Sequence, residues 1–377
     1  MTEKLTALGM MSGTSLDGID LALVATDGED QVEPGPVLHV PYDRDLKIFV
    51  RRAIKAALEG RDGAADIGKA AGEVTLAHIK AVEKFLETEG IKRTDIDVIG
   101  FHGQTILHRP AVDRDSVGRT WQIGDGKTLA DDTRIDVVSD FRSADIAAGG
   151  EGAPFAPIYH HALVASLTDK PACAVGVLNL GGVSNVTYVP ENARAIDLVA
   201  FDCGPGNGLV DEWMELKTGE AMDVDGAMAL AGEVNEEALR MMLLHPYLRR
   251  QPPKSLDRYD FNMDQVLKLT PEDGAATLTA FTAACIAQSE KFLPEPPGGY
   301  IVCGGGRRNP AMMKALSDRL EADVVPAEGA GWRGDDLEAE CFAYLAVRSL
   351  KKLPLSYPGT TRVPHPVCGG VYHRKPV

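Results

Sequence analysis

The sequence predicts an α/β fold built from two similar halves, on three observations. Short runs rich in aliphatic and β-branched residues alternate with longer runs of helical period. The strand, small-residue loop, strand plan of LTALGMMSGTSLDGIDLALVA at 5–25 returns in AVGVLNLGGVSNVTYV at 174–189. The chain of 377 residues, 44% hydrophobic and 25% charged, is long enough for two domains of common size.

In chain order, strands are expected at Leu5–Met11 and Ile19–Ala25, joined by the first small-residue loop. Helices follow at Asp45–Leu58 and Ala70–Glu89, a strand at Val98–Phe101, and a helix at Ala156–Ser166 that leads into a linker near residue 170. The second half opens with strands at Ala174–Leu178, Val183–Val189 and Val199–Phe201, then helices at Gly208–Lys217, Asn235–Leu244 and Thr277–Phe292. LPEPPGG at 293–299 is a Pro/Gly break before the strand Tyr300–Cys303. Helices at Pro310–Leu320 and Leu337–Leu350 complete the set. Domains are expected at 1–170 and 171–351, with 352–377 returning to the first.

Composition excludes several classes. A formal net charge of −16 disfavours nucleic-acid backbones and anionic membrane surfaces, which need a basic field. No run of about 18 apolar residues is present, and MTEKLTALGMMSG lacks the basic start and apolar core of a secretory signal, so a cytoplasmic protein is expected. Six dispersed cysteines form no CxxC or Cys/His spacing, which fits reduced thiols and no structural zinc. TWQIGDGKT carries Gly126, Lys127 and Thr128 but has Trp121 where a Walker A motif needs glycine. No GxGxxG follows the first strand, HRD and DFG are lacking, and MDVDGAM at 222–228 reads as a helix start, not a calcium loop.

Three loops and one carboxylate carry the chemistry. Ser12, Gly13, Thr14, Ser15, Asp17 and Gly18 offer hydroxyls, N–H donors and close backbone approach, as phosphate oxygens require; a polar hairpin turn explains one such loop equally well. Gly181 and Gly182 with Ser184 and Asn185 form a second loop of this kind. In YIVCGGGRRNPAMMKAL a strand meets Gly304, Gly305 and Gly306, then Asn309 at an N-cap and Pro310 at the first helical position, leaving bare backbone on which a flat ring can lie. Asp202, read as following a strand and preceding Gly204, Gly206 and Asn207, is placed to deprotonate a nucleophile or, alternatively, to cap the turn. FHGQTILHRP presents His102, Gln104 and Thr105 to a polyhydroxyl ligand, and Arg142 is suited to an anionic substituent or a neighbouring Asp. Glu338 either completes a capping box begun by Asp335 or accepts hydrogen bonds from a sugar.

Two such hairpins, one per half, with a late glycine turn are the layout of the actin, hexokinase and Hsp70 ATPase superfamily. Over nearly the full chain, MSGTSLDGID, FHGQT..HRP, QIGDG, DFRSADIAAGGEGAP, NLGGVSNVT, FDCGPGNGLVDEW, PPKS, CGGGRRNP and LEAECFAYLA resemble bacterial anhydro-N-acetylmuramic acid kinases. The resemblance implies a two-domain actin-like ATPase (ribonuclease H-like) fold with a nucleotide cleft between domains. It also implies an ATP- and Mg2+-dependent enzyme that opens 1,6-anhydro-N-acetylmuramic acid with water and phosphorylates O6 in cell-wall recycling, and a homodimer by family analogy. On that reading Gly13, Thr14, Ser15, Leu16, Asp17, Gly18, Ile19 and Asp20 form the ATP-binding stretch, Asp202 is the catalytic base, and Glu338 lies near the sugar. No side chain is assigned as a metal ligand. Glu151, Trp121 and PPKSLDRYDFN depart from the family pattern. The alternatives are another sugar kinase of the superfamily or a non-catalytic ATP-gated binding module.

Overall fold

The two hairpins that anchor the sequence reading form. In a computed structural model describing residues 3–110, 118–168, 171–192, 194–256 and 260–376, strands β1 (Leu5–Ser12) and β2 (Gly18–Thr26) pair antiparallel from Leu5↔Thr26 to Met11↔Asp20. Asp257, within the departing PPKSLDRYDFN run, lies outside the described residues.

The chain divides into two compact units, Met1–Ser166 with Asp336–Val377, and Leu167–Asp335. In the first, β3 (Val32–Pro41) joins β2 antiparallel, β4 (Val98–Arg109) lies parallel to β1, β5 (Arg119–Ile123) pairs antiparallel with β4, and β6 (Asp136–Ser139) runs parallel to β4. The order is β3-β2-β1-β4-β6, with Val371–His373 at the far edge. Alternation along β1 sends Leu8 and Met10 into the core shared with helices Arg44–Leu58 and Ala65–Glu89.

Gly9, between them, meets the helix Leu337–Leu350 on the other side: an added Cβ would lie 1.8 Å from the Ala339 carbonyl, and one at Gly100 would lie 2.0 Å from that of Phe342. These two glycines let the helix rest on the sheet backbone. It therefore packs on β1, β2 and β4 of the first unit, not in a second domain running to residue 351.

The second unit contains β7 (Val175–Leu180), β8 (Val183–Val189), β9 (Val199–Pro205), β10 (Gly299–Cys303) and β11 (Asp323–Pro326) in the order β9-β8-β7-β10-β11. β7–β8 and β8–β9 are antiparallel, while β7–β10 and β10–β11 are parallel. The first unit has the same order and directions, so the internal resemblance extends from one loop to a whole sheet, the doubled ribonuclease H-like plan. Helices Gly208–Thr218 and Pro271–Ser289 supply a second core around Trp213 and Phe281. Among the described residues no helix is long and apolar enough to cross a membrane.

Candidate active site

The first loop is exposed at Thr14 and Ser15 and tied down at both ends. Leu16 adopts φ 61° with its side chain in the core, a left-handed backbone that a bulky residue keeps only when its surroundings impose it. Its N–H donates to the Gly13 carbonyl at 3.2 Å, and the Tyr42 N–H donates to the Asp17 carbonyl at 2.9 Å. Among the described residues, an added Cβ at Gly13 meets only Ser15 Oγ within 4 Å, at 3.5 Å, whereas one at Gly18 would lie 2.4 Å from the Val40 carbonyl. Gly13 leaves open space for a ligand; Gly18 serves the β2–β3 contact. Ile19 is buried in the core, and Asp20 pairs with His39 Nδ1 at 2.6 Å.

HGQT is not at a strand end, because pairing with β5 extends β4 to Arg109. Gln104 is 0% exposed, which removes it from a sugar-contacting role. Its Nε2 donates to the Gly13 carbonyl and its Oε1 accepts from the Tyr42 hydroxyl, both at 3.1 Å, so it braces the first loop. Thr105 Oγ1 accepts from Gln122 Nε2 at 3.1 Å.

His102, Arg142 and Glu338 do come together. Arg142 donates to His102 Nε2 from Nε at 3.2 Å and from Nη2 at 3.0 Å, and from Nη1 to the Gly152 carbonyl at 2.7 Å. Nε2 must then be the acceptor, which places the ring proton on Nδ1, 2.8 Å from the Gly103 carbonyl. Burial first, and the Arg142 charge second, hold this imidazole well below the usual histidine range. Glu338 is exposed, yet the protein packed around it raises its carboxyl above the ordinary range; Arg142 attracts the charge and Asp20 repels it. Asp335 is not the N-cap expected for this helix. Asp336 takes that position without capping the helix through its side chain, while Asp335 accepts from Arg307 and Arg308.

In the second unit three glycine turns converge. The Gly206 and Gly208 N–H groups donate to the Gly182 carbonyl at 3.0 and 3.2 Å, and the Asn207 N–H donates to that of Gly181 at 2.7 Å. Asn207 Nδ2 reaches the Leu180 carbonyl at 3.2 Å, and the Cβ position of Gly306 lies 2.8 Å from Asn207 Oδ1. Gly206 is required by packing, its Cβ position being 2.2 Å from the Gly181 carbonyl, whereas among the described residues Cβ positions at Gly181 and Gly305 meet nothing closer than 3.7 Å. Gly304 has φ 74° and its carbonyl accepts from Arg307 Nη1 at 2.9 Å. Arg307 is buried against Glu328 and Asp335, an anchor that the sequence reading missed. Asn309 caps its helix through Oδ1, which accepts from the Met312 N–H at 3.1 Å.

Asp202 lies within β9, half-buried, because the strand continues to Pro205. Gly204 is buried in that continuation, its carbonyl accepting from Ser184 Oγ at 3.0 Å. Asn185 opposes Asp202 while Ser184 opposes Gly204, so the register slips at Cys203, a bulge of the kind that re-aims side chains beside functional sites. The Asp202 N–H donates to the Lys254 carbonyl at 3.1 Å, its carbonyl accepts from the Tyr247 hydroxyl at 2.8 Å, and its Oδ2 accepts from the Leu256 N–H at 2.8 Å. Burial, then the Asp202 charge, raises the Tyr247 phenol.

The GKT run starts a helix whose N–H groups at Lys127 and Thr128 already bind the Asp125 carboxylate, at 2.9 and 3.2 Å. MDVDGAM likewise starts helices, with Asp223 accepting from the N–H groups of Met228 and Ala229.

A family model described as anhydro-N-acetylmuramic acid kinase matches residues 5–374. A protein of that name from Nitrobacter winogradskyi is 50% identical, covering 98% of this chain and 100% of the relative. Another from Paramagnetospirillum magneticum is 49% identical over 97% and 99%. Among solved structures, (R)-2-hydroxyglutaryl-CoA dehydratase component A of Acidaminococcus fermentans is 13% identical, with 91% of this chain and 99% of that one covered at a TM-score of 0.46.

Proposed function

This chain belongs to the anhydro-N-acetylmuramic acid kinase family, and from that premise we propose that it opens 1,6-anhydro-N-acetylmuramic acid and phosphorylates O6 at the expense of ATP, as a cytoplasmic enzyme of murein recycling. The match along nearly the whole chain carries this reading. Asp202 takes a proton from water as its oxygen bonds to C1; the C1–O6 bond breaks, and the freed O6 takes the γ-phosphoryl group, releasing ADP. One base suffices because phosphorus, not a proton from a second carboxylate, captures the departing oxygen.

Gly13–Ser15, Gly181–Gly182 and the turn at Gly304–Gly306 are the backbone proposed to bind the nucleotide. Arg142 and Glu338 are proposed to meet the sugar; His102, 4% exposed and with both ring nitrogens engaged by Arg142 and the Gly103 carbonyl, holds the guanidinium from behind and does not touch the ligand. Mg2+, bound with ATP, supplies charge neutralisation at the transferred group. Asp17, at the end of the first loop, and Asp20, within β2 and paired with His39, would hold it together with phosphate and water. That mode needs no three-residue His/Cys/Asp/Glu cluster, and none occurs among the described residues.

Mass spectrometry of the product formed from ATP and the anhydro-sugar in heavy-oxygen water tests the reaction. Expected is one heavy oxygen at C1 with phosphate on O6; phosphorylation without ring opening overturns it. Asp202→Asn should lower turnover roughly 10²–10⁴-fold with ATP binding retained. Near-normal turnover would remove Asp202 from the base role.

A further inference from the structure

PPKS at 252–255 enters no step of that reaction, yet it carries Lys254, a lysine only 3% exposed. The amine lies 4.6 Å from the ring centroids of Tyr247 and Phe292 and 5.6 Å from that of Phe201, and donates at 3.5 Å to the Tyr247 carbonyl. Rings and carbonyl offset only part of the desolvation. Burial pushes the amine down to about 8, with Lys291 and Arg250 adding to the fall and the Cys203 and Cys285 thiols opposing it. A methionine of similar length would carry no such cost.

The cage is made from the groups that hold Asp202. Tyr247 places its ring against the amine and its hydroxyl on the Asp202 carbonyl. Phe201 directly precedes Asp202. The Lys254 carbonyl accepts from the Asp202 N–H, and Leu256, two residues on, donates to the carboxylate itself. We propose that Lys254 is a positioning residue: its ammonium, seated among Phe201, Tyr247 and Phe292, fixes the 254–256 segment that orients the Asp202 carboxylate toward the attacking water. The proposal rests on Asp202 acting as the base.

Structural and positioning roles separate by measurement. Lys254→Met sheds a buried charge, so it should melt no lower than the parent. Its kcat should fall about 10–10²-fold through misplacement of the base, with KM for ATP and for the sugar each within about threefold. Lys254→Arg, which keeps a cation among the rings, should recover most of that loss. In an Asp202→Asn background Lys254→Met should remove no further rate, because the carboxylate it orients is already gone. Full kcat in folded Lys254→Met overturns the proposal, as does an undiminished loss in the Asp202→Asn background. Near-normal turnover of Asp202→Asn alone overturns the base assignment instead. Should Lys254→Met not fold, Tyr247→Phe takes its place in the same cycle: it deletes the hydroxyl on Asp202 and leaves the ring over the amine, and an additive result overturns the proposal.

Discussion

Replacing Gln104 with leucine removes, at nearly constant volume, the two hydrogen bonds that tie the first loop to the sheet, Nε2 to the Gly13 carbonyl and the Tyr42 hydroxyl to Oε1. The Gly13 residue is half-buried and can turn to water, and the Tyr42 hydroxyl retains an interaction with Ser12. With the Nε2 bond to the Thr105 carbonyl at 3.3 Å also lost, the stability loss should therefore stay near the net value of three neutral hydrogen bonds, about 1.5–4.5 kcal/mol. The larger consequence is local. The left-handed Leu16 backbone stores about 1–3 kcal/mol that persists only while its surroundings impose it. If the loosened loop keeps the binding conformation about a tenth of the time, apparent ATP affinity falls about tenfold. Urea denaturation gives the first quantity, and initial rates with ATP and sugar varied separately give the second. Expected is a rise of about 3–10-fold in KM for ATP with KM for the sugar changed less than about twofold. A rise in KM for the sugar alone, or an unchanged KM for ATP despite lost stability, would refute the bracing role.

Two further predictions concern protons. Glu338→Gln should raise KM for the sugar about tenfold through a lost charge-assisted hydrogen bond, and should remove an acid limb of activity that begins above the ordinary carboxylate range; an unaltered KM would refute a sugar contact. His78 is fully buried, its Nε2 has no hydrogen-bond partner among the described residues, and burial lowers its pKa from 6.5 to about 4. Below pH 6.5 the unfolded chain takes up a proton that the native imidazole refuses, so stability falls by about 1.4 kcal/mol per pH unit, or about 2 kcal/mol by pH 5. Urea titrations at pH 7 and 5 should show His78→Leu flattening the dependence by that amount, and an unchanged slope would refute the assignment.

The hairpins were legible because two apolar strands flank a run of small polar residues, and Val183–Val189 and Leu337–Leu350 form over the residues expected. No strand is expected over VEPGPVLHVP, yet it forms β3 at one end of the strand order, where a proline can be tolerated. Strands as short as β6 and β11 gain their identity from parallel partners far away in the chain. In the site, a glutamine inside a strand reads alike whether it turns toward a ligand or, as Gln104 does, inward. Glycine carries the same ambiguity: Gly206 is demanded by a neighbouring carbonyl and Gly305 is not. Neither PPKS nor GGGRRNP marks its cation as buried, since the rings around Lys254 and the carboxylates around Arg307 arrive from distant segments.

The slip at Cys203 makes the aim of the carboxylate a matter of counting. Deleting that one residue would regularise the β8–β9 ladder and turn the segment beyond it to the opposite side, even with aspartate retained. Redesign of this strand has almost no latitude in length.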